Sequence, residues 1–277
     1  MRYSICSWTF GNIPIEKVFD RVSAAGYKHI DMQALVNDYN WKEVKQLAKD
    51  YSIEINGLLC DSGWPIEEHD LANTNRVNRK LAVDYFKRQI ECVKMVEGNY
   101  LIVVPSAVGK YSLLGNKKSE DWKWAIESVC NLTETAKENG ITLVIEPINR
   151  YESCIVNNSD DLLNFVMEVN HPNVKGLLDT YHMNIEESNV KEAFLKLKDW
   201  IEVVHFADSN RQGLGRGQID FEKIVSVMKE IEFDKTVVLE CMAPGTNPFN
   251  ADKGEETVQI MSIYAKESLV RLKEWFN

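Results

Sequence analysis

The sequence contains no pair of cysteines at the short spacing that metal-binding and redox motifs use. Its six cysteines are scattered along 277 residues without a CxxC pair. Zinc fingers and disulfide frameworks both depend on recurring, closely spaced cysteines, so the spacing indicates neither. We therefore expect reduced thiols, most of which serve only in packing.

Long apolar runs are absent as well. No stretch approaches the roughly 18 uninterrupted apolar residues that a membrane helix needs. The first ten residues, MRYSICSWTF, lack the apolar region of a signal peptide. We expect a cytoplasmic protein with no membrane partner.

Positive charge is scarce relative to negative charge. The chain has 32 Lys and Arg residues against 42 Asp and Glu residues, a formal net charge of -10. Such a charge repels the phosphate backbone of nucleic acids and the surface of anionic membranes. Nucleic acid is therefore not an expected partner.

The recurring unit of the sequence is a helical stretch, a glycine and a short β-branched run. Apolar residues from Leu81 to Val93 fall on one face of a helix. Gly26, Gly98 and Gly140 each stand between such a stretch and the next strand candidate, as helix C-terminal glycines do. Eight runs fit buried strands: YSICS, HIDMQ, IEINGLL, YLIVV, ITLVI, VKGLL, IEVV and TVVL.

Regular alternation of strands and helices predicts a parallel sheet whose two faces are both covered. Eight such units in 277 residues fit a closed barrel better than a doubly wound sheet. No low-complexity segment or linker interrupts the chain. We predict an α/β fold, a (β/α)₈ TIM barrel, as a single domain over residues 1–277.

The last four strand candidates all end in a residue that can bind a metal ion. These residues are separated by 33, 26 and 35 positions, which is one strand-helix unit each. In a parallel barrel all four would lie on one face, where active sites are built. One polar strand end is ordinary, but four in succession are not. The four residues are Glu146, Asp179, His205 and Glu240.

Three carboxylates and one imidazole are a ligand set for a single divalent cation. Hard oxygen ligands suit Mn²⁺, Mg²⁺ or Co²⁺, with Zn²⁺ less well matched. A cation would also offset the repulsion between carboxylates that share one cavity. Further polar residues follow the same strands, which suits a polyhydroxylated small molecule whose hydroxyls each need a partner. They are Arg150, Glu152, His182, Asn184, Asp208, Asn210 and Arg211.

Four segments resemble the motifs of one known superfamily, in order and spacing. They are EPINRYE, LLDTYHMNIEE, HFADSNR with GRGQIDF, and VVLE. The chain resembles the xylose isomerase-like TIM barrels, the sugar phosphate isomerase/epimerase superfamily. Within it, the segments are similar to the ketose 3-epimerases of the D-tagatose/D-psicose (allulose) type. The match runs from about residue 120 to residue 242.

The resemblance implies roles for seven of these residues. Arg150 matches no family position with an assigned role, and we interpret it as structural. The implied metal ligands are Glu146, Asp179, His205 and Glu240, of which Glu146 and Glu240 would also be the catalytic acid and base, while Glu152, His182 and Arg211 would bind the substrate.

By the same resemblance, the chain would be a divalent-metal-dependent isomerase that epimerises C3 of a free ketose through a cis-enediolate. Mn²⁺ is the first choice of metal, and a dimer or tetramer is implied. The same site would serve an aldose-ketose isomerase or a lyase similar to inosose dehydratase. Sequence does not decide between these outcomes, because all of them begin with removal of a proton beside a carbonyl.

A more distant alternative is a metal-dependent hydrolase similar to endonuclease IV of the same superfamily. Such enzymes bind several zinc ions and need further ligands on strands 2 to 4. Here strand 2 offers Asp31 and Gln33, strand 3 offers Cys60 and Asp61 with His69 beyond, and strand 4 offers none. The negative net charge also disfavours DNA.

Two segments depart from the pattern of the 3-epimerases. The first strand is followed by CSWTFG, and the last ligand is followed by CMAPG. Both would contact the far end of the sugar, so the identity of the substrate stays open. Trp8 and Trp64 are candidate walls for the sugar, with ordinary packing as the alternative. In GLGRGQ, residues 213–218, a flexible turn is favoured over a phosphate site that uses Arg216.

Overall fold

The structure is a computed structural model, and it describes residues 1–110, 118–245 and 252–277. Eight strands alternate with helices. The strands are β1 Arg2–Ile5, β2 His29–Gln33, β3 Glu54–Leu59, β4 Tyr100–Val103, β5 Thr142–Ile145, β6 Val174–Asp179, β7 Ile201–Phe206 and β8 Thr236–Leu239. The helices are α1 Ile15–Ala25, α2 Trp41–Asp50, α3 Arg76–Met95, α4 Lys118–Asn139, α5 Ser159–Val169, α6 Thr180–Glu186, α7 Val190–Leu197, α8 Phe221–Glu230 and α9 Gly254–Phe276, with short 3₁₀ helices at Ser7–Phe10 and Glu67–His69.

The strands form one parallel sheet in the order β2 to β8, with β1 paired to β8. An isolated parallel bridge between Cys6 and Asp31 brings β1 next to β2. The sheet is therefore a nearly closed barrel, and the predicted (β/α)₈ fold is confirmed. All eight predicted strands form, with ends shifted by at most two residues. The prediction of a single domain stays a prediction.

Local sequence explains where the helices begin and end. Gly26 and Gly140 have the positive φ angles, 92° and 69°, that favour glycine after a helix. At the opposite ends, asparagine or aspartate side chains accept the free backbone N–H groups of six helices. These caps are Asn40, Asn75, Asn158, Asp179, Asn189 and Asp220.

The barrel interior is filled by side chains, among them the buried carboxyl group of Asp31. Asp31 on β2 accepts hydrogen bonds from Ser4 Oγ at 2.6 Å and from Tyr100 Oη at 2.5 Å. Burial raises the pKa of Asp31 to about 6, although these two hydrogen bonds act in the opposite direction. Tyr100 belongs to an apolar cluster with Cys6, Ile102, Val144, Leu177, Val203 and Val238.

Gly57 on β3 makes room for the ring of Tyr100. A Cβ atom at Gly57 would lie 2.1 Å from Cε2 of Tyr100, whose side chain is buried and hydrogen-bonded to Asp31. Gly57→Ala is therefore expected to lower the free energy of unfolding by about 1–3 kcal/mol or more, measured by urea denaturation. Gly63→Ala is the matched control, because nothing lies within 4 Å of its added Cβ. Equal stability of the two variants would contradict this packing.

None of the helices in the described ranges is long and apolar enough to span a membrane. The predicted cellular location stays a prediction.

Candidate metal centre

Four side chains meet where β5 to β8 end. Glu146 and Glu240 directly follow β5 and β8, while Asp179 is the last residue of β6 and His205 lies one residue before the end of β7. One ligand atom from each lies within 4.8 Å of the others. All four residues are at most 4% exposed. The convergence predicted from the strand ends is therefore present.

The imidazole lies between the two glutamates. Nδ1 of His205 is 3.2 Å from Oε2 of Glu240 and 3.4 Å from Oε1 of Glu146. Burial alone would lower the pKa of His205, but the two carboxylates outweigh it and raise the pKa well above its ordinary value. Burial favours a neutral Glu240, yet His205 and Arg211 hold the pKa of this carboxyl well below its usual range.

The pKa values of the other two carboxyl groups, Asp179 and Glu146, are raised rather than lowered. Burial, followed by the charge of Glu240, raises the pKa of Asp179 well above its ordinary value. Burial also raises the pKa of Glu146. Without a cation, burial and mutual repulsion therefore disfavour the simultaneous ionisation of all three carboxyl groups, and Glu240 is the one most readily ionised.

The donor set fits a divalent cation. Oδ2 of Asp179 is buried and has no hydrogen-bond partner within the part of the chain that the structure describes. An acceptor oxygen without a donor, facing further carboxylates and an imidazole, is what a hard or borderline cation needs. The buried cluster can therefore bind a divalent metal ion.

Neighbouring groups fix the direction of two of these carboxylates. Oδ1 of Asp179 accepts the backbone N–H groups of Tyr181 at 2.6 Å and His182 at 3.3 Å, and so caps α6. Oε1 of Glu240 accepts the indole N–H of Trp8 at 3.0 Å. Such outer contacts orient metal ligands and preserve their geometry. Asp179, the first residue of DTYHMN, thus ends β6, caps α6 and faces the metal centre.

Arg211 connects the centre to Glu152. Its Nη2 lies 3.4 Å from Oε2 of Glu240, and its Nη1 lies 3.3 Å from Oε1 of Glu152. The guanidinium carbon is 4.7 Å from the centroid of the Tyr181 ring, which supports it from one side. Arg211 has a φ angle of 59°, unusual for a residue other than glycine. Such strain is typical of positions where function fixes a side chain.

His182 lies beside Arg211 and Glu152, and its ring adopts one defined tautomer. Its Nδ1 accepts the backbone N–H of Asn149 at 3.1 Å, so the ring proton of the neutral form is on Nε2. Burial, then the charge of Arg211, lowers the pKa of His182 well below its ordinary value. Nε2 lies 3.8 Å from Oδ2 of Asp179. A neutral imidazole therefore presents an N–H donor next to the centre.

The sequence did not identify Asn149 and Tyr181 as residues that hold this arrangement together, and it singled out Trp8 only as a candidate wall for the sugar. The side-chain amide of Asn149 contacts Oε1 of Glu152 and Nδ1 of His182, both at 2.8 Å. Tyr181 supports Arg211, and Trp8 binds Glu240. Asn149 and Tyr181 stand inside the quoted motifs, which was a signal, but His182 and Arg211, which they contact, lie in other segments of the chain.

Two arginines that the sequence singled out point away from the centre. Arg150 forms a paired contact with Glu186, with Nη2 to Oε2 at 2.7 Å and Nε to Oε1 at 3.0 Å, and is exposed. Arg216 pairs with Glu267 at 2.6 Å and lies over the ring of Tyr264, against α9. Gly217 is closely packed, because a Cβ there would lie 2.3 Å from Asp208.

The residues considered for a zinc cluster are used differently. Oδ2 of Asp61 lies 3.3 Å from Nδ1 of His69 and accepts the hydroxyl of Tyr85 at 2.8 Å. The rings of His69 and Tyr85 are stacked, with centroids 3.7 Å apart. Across residues 1–110, 118–245 and 252–277, the four-residue cluster is the one group with metal-ligand geometry.

The fold and the site define a class: a parallel TIM barrel with a buried carboxylate-imidazole centre at the carboxyl ends of its strands. Comparison with protein families agrees, because the model of the xylose isomerase-like TIM barrel matches residues 19–261. The chain belongs to the xylose isomerase-like TIM barrel family.

Three curated relatives are similar over most of the chain. A D-psicose 3-epimerase of Enterocloster bolteae is 29% identical over 81% of this chain and 76% of that protein. An L-ribulose 3-epimerase of a Methylomonas species is 30% identical over 81% and 77%. A 3-dehydro-D-guloside 4-epimerase of Escherichia coli is 29% identical over 80% and 84%. Epimerases are isomerases, and the predicted class of enzyme is confirmed.

A solved structure has the same fold. The crystal structure of D-psicose 3-epimerase with D-tagatose from Clostridium cellulolyticum H10 superposes with a TM-score of 0.89 over 100% of both chains, at 22% identity. At this identity the likeness concerns the fold alone.

Proposed function

We propose that this chain is a divalent-metal-dependent ketose 3-epimerase. The observation that carries the proposal is the pair of buried carboxylates, Glu146 and Glu240, which approach one imidazole nitrogen from different strands within 3.4 Å. The names of two of its relatives, a D-psicose 3-epimerase and an L-ribulose 3-epimerase, support the substrate class.

The reaction needs a base on each side of one carbon. A proton on C3 of a ketose is weakly acidic because the neighbouring carbonyl stabilises the carbanion as an enediolate. One of the two glutamates removes this proton, and the other returns a proton to the opposite face. C3 is thereby inverted. Arg211 and His205 keep Glu240 ionised and ready to accept a proton.

The metal would be held by Glu146, Asp179, His205 and Glu240, with Mn²⁺ preferred to Mg²⁺ or Co²⁺ and Zn²⁺ least suited. When bound, a divalent ion supplies positive charge that stabilises the oxygens of the enediolate. The chain itself contributes the orientation of the ligands, through Trp8 and the first turn of α6.

Three further side chains would position the sugar oxygens. The Nε2–H of His182 and the guanidinium of Arg211 are donors for the carbonyl and its neighbouring hydroxyl. Glu152 would accept from a hydroxyl, and Asn149 fixes both Glu152 and His182. Each buried polar group is left unpaired when the matching hydroxyl is missing, which gives selectivity.

Arg211→Ala is expected to lower kcat/KM at least tenfold, because the guanidinium bridges Glu240 and Glu152 where the substrate would bind. Arg150→Ala is the matched control, since its partner Glu186 lies outside the centre, and we expect a change below twofold. Steady-state kinetics with Mn²⁺ measure both values. If Arg211→Ala and Arg150→Ala lowered kcat/KM equally, the proposed position of the substrate beside Arg211 would be refuted.

Product analysis distinguishes the proposal from the alternatives that share its first step. Fructose, psicose, tagatose, sorbose, xylulose and ribulose are each incubated with the Mn²⁺-loaded protein, and the products are identified by NMR. The C3 epimer supports our proposal, whereas an aldose or a dehydrated sugar supports an isomerase or a lyase. Inversion of C4, as in the name of the Escherichia coli relative, would need a carbonyl at C3, which none of these six ketoses carries.

The partner in this proposal is a small sugar. Assembly as a dimer or tetramer stays a prediction, which sedimentation of the purified chain would test.

A further inference from the structure

A second cavity opens at the same end of the barrel as the metal centre. The described residues enclose a volume of about 660 Å³ above the ends of β1 and β2 and the segment after β8. This volume falls within the range of about 300–1,000 Å³ that is typical of small-molecule sites. None of the four clustered residues lines it, nor do Glu152, His182 or Arg211.

The cavity adjoins the centre through two residues. Trp8 lines the cavity and donates its indole N–H to Oε1 of Glu240. Met242 also lines it, two residues after Glu240, and its backbone N–H binds the carbonyl of Arg211 at 2.6 Å. A molecule bound at the centre would therefore have the cavity beside it, on the side of Trp8.

The lining has the chemistry that a sugar ring requires. Trp8 and Tyr39 provide aromatic surface for the C–H face of a ring. The ring of Tyr39 is itself packed edge-on against Trp41, with centroids 5.4 Å apart, which restrains its direction. Gln33 lies on the same lining and offers an amide to hydroxyl groups.

The two segments that depart from the 3-epimerase pattern both contribute to this cavity. Ser7, Trp8 and Gly11 belong to the CSWTFG segment, and Met242 belongs to CMAPG. The segments that distinguish this chain thus line the cavity, on the side where the far end of the sugar would lie.

We propose that the preferred substrate is a ketose that carries a second sugar ring on the carbons remote from its carbonyl, with that ring bound in this cavity. The inference rests on the proposed function, because it assumes that the carbonyl end of the ketose lies at Glu146 and Glu240.

Disaccharide ketoses test the inference directly. Isomaltulose carries glucose on O6 of fructose, lactulose carries galactose on O4, and fructose carries neither. We expect at least one of the two disaccharides to be turned over with a kcat/KM at least tenfold above that of fructose. Epimerisation of fructose without any advantage for either disaccharide would overturn this inference and leave the proposed function intact. Turnover of none of the three, nor of any other ketose, would overturn both.

Ile13 lines the cavity, and a larger side chain there would occupy part of its volume. Ile13→Trp is expected to lower kcat/KM for the disaccharide at least tenfold, while the value for fructose changes less than twofold. Ile263→Trp, at a 52% exposed position on α9, is the matched control.

Gln33→Ala tests the same cavity without adding bulk. It is expected to raise KM for the disaccharide about fivefold, with kcat and the fructose kinetics unchanged. If both cavity variants affected fructose and disaccharide equally, the cavity would not be a sugar subsite.

Discussion

Replacement of Glu240 by glutamine is expected to lower turnover by about 10²–10⁴-fold, the contribution of a positioned acid-base group. Glutamine keeps the shape of the side chain and an oxygen for the indole N–H of Trp8, but it neither accepts nor delivers a proton. Steady-state kinetics on any accepted ketose measure the loss. Glu267→Gln is the control, because Glu267 pairs with Arg216 away from the centre. Near-normal activity of Glu240→Gln would refute the acid-base assignment.

A comparison of the two glutamate variants makes this prediction sharper. If one glutamate serves each face of the sugar, Glu146→Gln and Glu240→Gln each retain one base. In D₂O, each variant should exchange the C3 proton of only one of the two epimers, and neither variant should interconvert them. Exchange of the same epimer in both variants would contradict a two-base mechanism.

Addition of Mn²⁺ at about 100 times its Kd is expected to stabilise the folded chain by about 2.7 kcal/mol. For a chain of this size, such a gain raises the melting temperature by roughly 5–10 °C. The physical reason is that burial and the charge of Glu240 act against ionised Asp179, and a cation would reverse this. Differential scanning calorimetry with and without the metal measures the shift.

Asp179→Asn should remove most of this metal-dependent shift, because Oδ2 of Asp179 is the buried acceptor without a hydrogen-bond partner in the described ranges. Asp199→Asn, at an exposed position, is the control.

Removal of the metal by a chelator is expected to abolish turnover, and Mn²⁺ should restore it. A stoichiometry near one metal per chain agrees with the four-residue cluster, whereas three zinc ions per chain would favour the hydrolase alternative.

The sequence predicted the barrel because its signals are local. Buried parallel strands give short β-branched runs, and glycines mark the helix ends, as Gly26 and Gly140 do. The convergence of Glu146, Asp179, His205 and Glu240 followed from the fold, since the ends of parallel strands share one face. Because the barrel topology is regular, the positions of these four residues along the chain were enough to predict that they lie close together.

The contacts that orient these side chains could not be predicted from the sequence. Trp8 and Glu240 are 232 residues apart, and no periodicity connects a tryptophan after β1 with a carboxylate after β8. The tautomer of His182 depends on a backbone N–H of Asn149 that is 33 residues away. Shifted pKa values likewise depend on burial and on neighbours brought together by folding, as at Glu240.

Incorporation of solvent deuterium is the most direct test of the proposed proton transfer. The Mn²⁺-loaded protein is incubated with an accepted ketose in D₂O, and the position of the label is read by NMR. We predict one deuterium at C3 of the product, together with inverted configuration at C3. Inversion without any solvent deuterium, or no exchange into any sugar or sugar phosphate, would contradict an enediolate mechanism carried by Glu146 and Glu240.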